Sequence, residues 1–168
     1  MKKRMILLLI IGITVFLASV LWVEDKILWA SSSSPYHFGI QRLLGEKESP
    51  PFSLKDLNGN LIALKDFRGK PILLTFWLSY CSACQEDLPL LEKFSEGKRD
   101  QLIMLTVGID GKNEKRMRRF VKEKKITLPI LLDSKEEVAR AYGVRMVPTT
   151  FLINQDGLMV GMIVGQRD

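Results

Sequence analysis

An apolar run from Pro71 to Leu78 leads, within three residues, into Cys81-Ser82-Ala83-Cys84, and this junction constrains the chain more than any other feature. The run follows the breaker Gly69-Lys70-Pro71 and carries Phe76 and Trp77, so Ile72 to Leu78 reads as a buried central strand. A helix opening directly after it puts Cys81 at the helix N-terminus, where unpaired N–H groups and the helix dipole favour a thiolate. Cys84 lies one turn further on and can close a disulfide with Cys81 once Cys81 has attacked a partner. These are the only two cysteines in the chain. The loop they would close is too small to remove much unfolded-state entropy, which favours redox chemistry over stabilisation as the reason for the pair. From this spacing alone, half of a metal site and a chance pair of buried thiols stay open as alternatives.

Around this junction, strand and helix signals alternate. Phe52 to Leu57 and Leu61 to Leu64 flank Asn58-Gly59-Asn60 and predict an N-terminal β-hairpin. The helix after the cysteines should run from Ser82 to Ser95, with Leu88, Leu91 and Phe94 facing the core, Pro89 inside it and Gly97 as its stop. A strand over Leu102 to Val107, a helix over Glu114 to Lys124 and a short extended segment from Leu128 to Leu132 follow. Ser134-Lys135-Glu136-Glu137 reads as a capping box for a helix that ends at Gly143. Thr149 to Ile153 and Leu158 to Val164, joined at Asp156-Gly157, predict a closing antiparallel hairpin. The fold class expected is α/β, a mixed sheet flanked by helices.

Lys2-Lys3-Arg4 precedes a stretch without charge, Met5 to Val23, and Glu24-Asp25-Lys26 follows it. Its 19 residues would span about 28 Å as a helix, close to the thickness of a bilayer core. No small-x-small cleavage site is convincing, since the nearest candidate, Leu28-Trp29-Ala30, lies beyond three charged residues, which favours an uncleaved signal-anchor over a removed signal peptide. The basic cluster stays inside by the positive-inside rule, so everything beyond the span is expected outside the cytoplasm. The expected organisation is a cytoplasmic tail over 1–4, a transmembrane helix over 5–23, a juxtamembrane segment and tether over 24–48, and one domain over 49–168. His37, the only histidine, falls in the tether and reads as a solvated residue. Between Lys112 and Lys125 lie 8 Lys/Arg and 2 Asp/Glu, a net +6 that matches the excess of the whole chain, 25 against 19. A solvated helix face explains this cluster, with anionic lipid headgroups second. No nucleic-acid partner is expected, because the chain reads as exported and carries no recognised binding motif for it.

Taken together, Phe76-Trp77, Cys81-Ser82-Ala83-Cys84, Pro89 and Val147-Pro148-Thr149-Thr150-Phe151 resemble the thioredoxin fold. Pro51 and Phe52, Leu57-Asn58-Gly59, Leu64-Lys65-Asp66-Phe67-Arg68-Gly69-Lys70 and the anchor narrow the resemblance to the membrane-anchored TlpA/ResA-like thiol–disulfide oxidoreductases of the redoxin group, over about Ser49 to Gly165. The resemblance implies a cis bond before Pro148, with that loop against the disulfide and the Val147 backbone left to pair with substrate. It also implies an acid three residues after the second cysteine. Here that residue is Asp87, which shares a helix face with Cys84 and could take its proton; Glu86 is left to complement the helix dipole. Trp77 and Tyr80 are expected to wall the site.

Two departures from the family pattern stand out. Ser82-Ala83 lacks the proline that relatives often carry before the second cysteine, and the chain ends at Asp168, so the family's closing C-terminal helix is expected to be absent. The function expected is reduction of disulfides in exported proteins, with apocytochrome c cysteines awaiting haem among the implied substrates and a membrane thiol reductase as electron donor. No cofactor and no metal are expected. A thiol peroxidase of the redoxin group is the first alternative, but its proline-x-x-x-threonine-x-x-cysteine signature would need proline and threonine at Leu74 and Leu78. A metal-binding thioredoxin-fold module is the second, with two cysteines giving half a tetrahedral site.

Overall fold

The computed structural model describes residues 41 to 111 and 113 to 166. In chain order these form β1 (Gln41–Glu48), β2 (Ser53–Asp56), β3 (Leu61–Ala63), a 3-10 turn (Leu64–Phe67), β4 (Ile72–Trp77), α1 (Ser82–Ser95), β5 (Ile103–Gly108), α2 (Glu114–Glu123), β6 (Ile130–Leu132), α3 (Glu137–Ala141), β7 (Thr149–Ile153) and β8 (Leu158–Val164). The expected anchor over 5–23, the tail before it and His37 lie outside the described residues. Among the described residues, no helix is long and apolar enough to cross a membrane.

All eight strands form one mixed sheet in the order β1-β8-β7-β4-β5-β6-β2-β3. β4, β5 and β6 are parallel, which requires crossovers, and α1 and α2 supply them. β7 runs antiparallel to β4 and continues into β8 across the Asp156-Gly157 turn. The expected hairpin is present as β2 and β3, and β2 also pairs antiparallel with β6. In its turn the Asp56 carboxylate accepts the Asn58 and Asn60 N–H groups, each at 2.8 Å, and the Asn60 amide at 3.0 Å.

Each face of the sheet has its own apolar cluster. On one, Leu74, Phe76, Leu105, Val107, Phe151 and Ile153 pack with Phe52 and with Tyr142, which follows α3. Burial pushes the Tyr142 phenol far above the usual tyrosine range, and its hydroxyl donates to Pro50 O at 3.0 Å, which ties down the approach to β2. On the other face, Cys84, Leu88 and Leu91 of α1 join Met117 and Phe120 of α2 around Trp77. The cations between 115 and 125 are all exposed, the solvated face expected of that segment.

Three local expectations need correction. Leu88 and Leu91 are buried, but Phe94 is 47% exposed, with the Lys98 ammonium 4.5 Å from its ring centroid. The inward row of α1 is Cys84, Leu88, Leu91 and Ser95, at steps of three and four residues; Phe94 falls on the line of Glu86 and Leu90, turned away from it. Ser134 does not cap α3. That helix begins at Glu137, and the Asp133 carboxylate accepts the N–H groups of Glu137 at 3.0 Å and Ala139 at 2.8 Å. An acid one residue earlier thus does the work assigned to the capping box, since a carboxylate has two acceptor oxygens for two orphan donors. Finally, β1 lies within the stretch read as tether and pairs antiparallel with β8. Its sequence lacks apolar alternation, so no period announces it; what recruits it is the unpaired backbone edge of β8.

Glu92 fastens α1 to the segment before β6. Its carboxylate accepts Thr127 N at 2.6 Å, Leu128 N at 2.9 Å and the Thr127 hydroxyl, and pairs with Arg99 at 3.2 Å. Burial alone would raise this carboxyl; the Thr127 and Leu128 hydrogen bonds and the Arg99 charge outweigh it and hold the group below the usual glutamate range. Replacing Glu92 by Gln should destabilise the domain by about 1–3 kcal/mol, because the bonds from Thr127 N and Leu128 N lose their charge assistance and the pair with Arg99 is broken. A folded value below the unfolded one means the stabilisation is complete above the unfolded pKa and disappears as pH falls through the folded value. Urea titrations of both proteins should therefore differ at neutral pH and converge in acid.

Candidate active site

Cys81 occupies the N-cap position of α1 in an extended conformation, φ −83° and ψ 117°, delivered there by a turn in which Cys81 N donates to Leu78 O at 3.2 Å. The side chain of an N-cap residue faces the first free N–H groups of the helix. Here Cys84 N donates to Cys81 Sγ at 3.2 Å. The same interaction would stabilise a thiolate at that position. Cys81 and Cys84 are joined as a disulfide, with Cα atoms 5.2 Å apart. Cys81 is partly exposed, whereas Cys84 is completely buried.

A second segment closes on the pair from the sheet side. The Val147–Pro148 bond is cis, and Val147 O lies 3.8 Å from Cys81 Sγ. The loop is fixed behind this point by Thr149 Oγ1, which donates to Met146 O at 2.7 Å, and by Gly165 N, which donates to Pro148 O at 2.8 Å. Tyr80 and Met146, the neighbours of Cys81 and Val147, are 56% and 48% exposed. Trp77, expected to wall the site, has no surface at all. It is completely buried against Phe120, with ring centroids 5.6 Å apart, and backs the site from within. Asp87 is likewise completely buried on α1, one turn after Cys84. Glu86 is exposed and accepts a bond from Gln166 Nε2 at 2.7 Å.

Sequence reasoning missed Ser79, Gln85 and Asp110. The Asp110 carboxylate accepts Ser79 N at 2.8 Å and is bonded by the Ser79 hydroxyl; Ser79 O accepts from Gln85 Nε2 at 2.6 Å. Asp110 lies 31 residues from Ser79, beyond the reach of any local pattern.

What this arrangement can do follows from the difference between its sulfurs: one is partly exposed at the helix N-cap with Cys84 N 3.2 Å away, and the other is completely buried behind it. On this fold, that difference belongs to the thiol–disulfide oxidoreductases. The chain is a member of the AhpC/TSA family, whose profile matches residues 46–162. It is similar to the thioredoxin-like protein YneN of Bacillus subtilis (strain 168), 35% identical over 121 residues that make up 71% of each chain. It also resembles the thiol-disulfide oxidoreductase ResA of Bacillus thuringiensis subsp. konkukian (strain 97-27), 34% identical over 72% of this chain and 70% of that one. Of solved structures, StoA from Bacillus subtilis superposes with a TM-score of 0.64 at 30% identity, covering 71% of this chain and 90% of StoA. The exposed lipoprotein thioredoxin Etrx1 of Streptococcus pneumoniae strain TIGR4 gives 0.64 at 30%, covering 71% and 92%.

Proposed function

We propose that this thiol–disulfide oxidoreductase is held at the outer face of the cell membrane by residues 5–23 and reduces disulfides in exported proteins. The observation that carries the redox chemistry of this reading is the position of Cys81 Sγ, at the N-cap of α1 with Cys84 N on one side and Val147 O 3.8 Å away on the other; the anchoring rests on the uncharged stretch 5–23 behind Lys2-Lys3-Arg4. In the reduced protein, the Cys81 thiolate attacks a substrate sulfur; the substrate disulfide breaks, a mixed disulfide forms, and the departing substrate thiolate takes a proton. Cys84 loses its proton and attacks Cys81 Sγ, which releases the second substrate thiol and leaves Cys81–Cys84 oxidised by two electrons. Asp87 receives the Cys84 proton. A membrane dithiol reductase returns the two electrons.

Val147 offers backbone groups to an extended substrate segment, and the exposed Tyr80 and Met146 border the place where that segment would lie. The substrate class is therefore an exported protein with a disulfide in an accessible, extended stretch, and apocytochrome c cysteines awaiting haem belong to it. Leu74, buried in the sheet, and Leu78 offer no polar group for the peroxidase alternative.

Two measurements test this reading. A reporter that is active only outside the cytoplasm, fused after Gly165, should be active; activity of a cytoplasmic reporter at the same point would remove the export. The Cys81–Cys84 reduction potential should lie in the range of dithiol reductants, about −270 mV or below, and a value of about −120 mV would make the protein an oxidant instead.

A further inference from the structure

We infer that Asp110 is a positioning residue for the reaction: through Ser79 it fixes the turn that presents Cys81 Sγ to the N-terminus of α1. The inference rests on the oxidoreductase assignment, and concerns what sets the reactivity of its first sulfur. The turn between β4 and α1 has few restraints of its own. Trp77 is the last residue of the strand, Cys81 is already the helix cap, and Leu78, Ser79 and Tyr80 must cover the distance between them. Tyr80 is exposed and Leu78 is only partly buried, so packing does not pin either end of the turn. Ser79 does. It is 1% exposed, and both of its donors, the backbone N–H and the hydroxyl, go to the two oxygens of Asp110. Its carbonyl accepts from Gln85 on the first turn of α1. Ser79 is thus tied at three atoms, to the end of β5 on one side and to the helix on the other.

Asp110 is itself well placed to act as a fixed point. It is 6% exposed, it follows Ile109, whose N–H donates to Trp77 O at 3.0 Å, and its own carbonyl accepts Asn113 N at 3.1 Å at the start of α2. The parallel pair β4–β5 therefore ends in a cross-link: backbone to backbone at Ile109, then carboxylate to backbone at Asp110. Cys81 lies two residues beyond the clamped residue. The bond from Cys84 N to Cys81 Sγ weakens steeply once distance or angle departs from its present geometry. A loosened turn would leave the sulfur in that geometry for less of the time, with a smaller thiolate fraction at neutral pH.

Charge and position push in opposite directions here, and that makes the inference testable. A carboxylate behind the turn repels a Cys81 thiolate, so loss of the charge alone lowers the Cys81 pKa. Loss of the clamp raises it. Asp110→Asn removes the charge but keeps an oxygen for Ser79 N and an amide for Ser79 Oγ; Asp110→Ala removes both contacts. Rates of Cys81 alkylation against pH, measured on the reduced full chain, read the thiolate directly. Glu86 and Asp87 on α1 and Arg145 before the Pro148 loop are the same in every variant, so they cancel in the comparison. Asp110→Ala should slow alkylation at neutral pH by about tenfold, moving the midpoint upward by about one unit. Asp110→Asn should stay within about twofold of the parent or react faster. Ser79→Ala and Gln85→Leu each remove one bond of the chain and should move the midpoint in the same direction as Asp110→Ala by less. If Asp110→Ala does not fold, these two variants carry the test on the same readout. A midpoint that is unchanged or lowered in Asp110→Ala, or in both Ser79→Ala and Gln85→Leu where Asp110→Ala cannot be made, overturns the inference.

Discussion

Cells expressing Cys84→Ser should accumulate mixed disulfides between this protein and its substrates, and cells expressing Cys81→Ser should accumulate almost none. The difference rests on accessibility and on charge. Cys81 is partly exposed and has the α1 N–H of Cys84 3.2 Å from its sulfur, so it is both reachable and favoured as a thiolate. Cys84 is completely buried among Leu88, Trp77 and the residues of α2, and no protein substrate can reach it without opening the domain. With Cys84 replaced by serine, the first attack still occurs, but nothing displaces the substrate from Cys81. Turnover of either variant should fall by about a thousandfold or more, since both sulfurs act in one sequence of bond exchanges. Non-reducing gels of alkylated extracts, followed by reduction in a second dimension, separate the trapped partners. Equal trapping by the two variants would mean that Cys84 attacks substrates as readily as Cys81 does, and the assignment of Cys81 as the nucleophile would be wrong.

How much of this was legible in the sequence depends on the distance between cause and effect along the chain. The apolar run into Cys81 and Cys84, the two hairpin turns and the helix over Ser82–Ser95 are local signals, and each corresponds to an element of the sheet or its crossovers. Phe94 was misjudged because three apolar residues at helical spacing do not by themselves say which pair defines the inward face; Cys84 and Ser95, small and inconspicuous, settle it in favour of Leu88 and Leu91. β1 was illegible for a different reason. An edge strand needs only backbone groups to pair, and Gln41–Glu48 advertises none of the alternation by which strands are recognised. Around the site, the cysteines and Pro148 could be named from motifs. The carboxylates that hold the frame could not: Asp110 meets Ser79 across 31 residues and Glu92 meets Thr127 across 35, and a single acid in a loop or on a helix looks like any solvated charge until the chain is folded.

Asp87→Asn should slow resolution of the mixed disulfide by about ten- to a hundredfold while leaving the first attack within about twofold of the parent. Resolution requires Cys84 to give up a proton before its sulfur can attack Cys81, and Cys84 has no exposed surface through which water could take that proton. Asp87 is three residues further along α1, on the same side of the helix and equally buried, which is the placement that the proposed transfer to its carboxylate requires. Asparagine preserves the size of the side chain and its ability to accept hydrogen bonds, but cannot carry the proton. The first attack draws on the Cys81 thiolate and the α1 N-terminus, neither of which needs Asp87. Rapid-quench single turnovers, in which the mixed disulfide is trapped by acid and its rise and decay are fitted separately, distinguish the two steps. A decay rate equal to the parent's across neutral pH would leave Asp87 a carboxylate near a helix end, and resolution would have to find its base elsewhere.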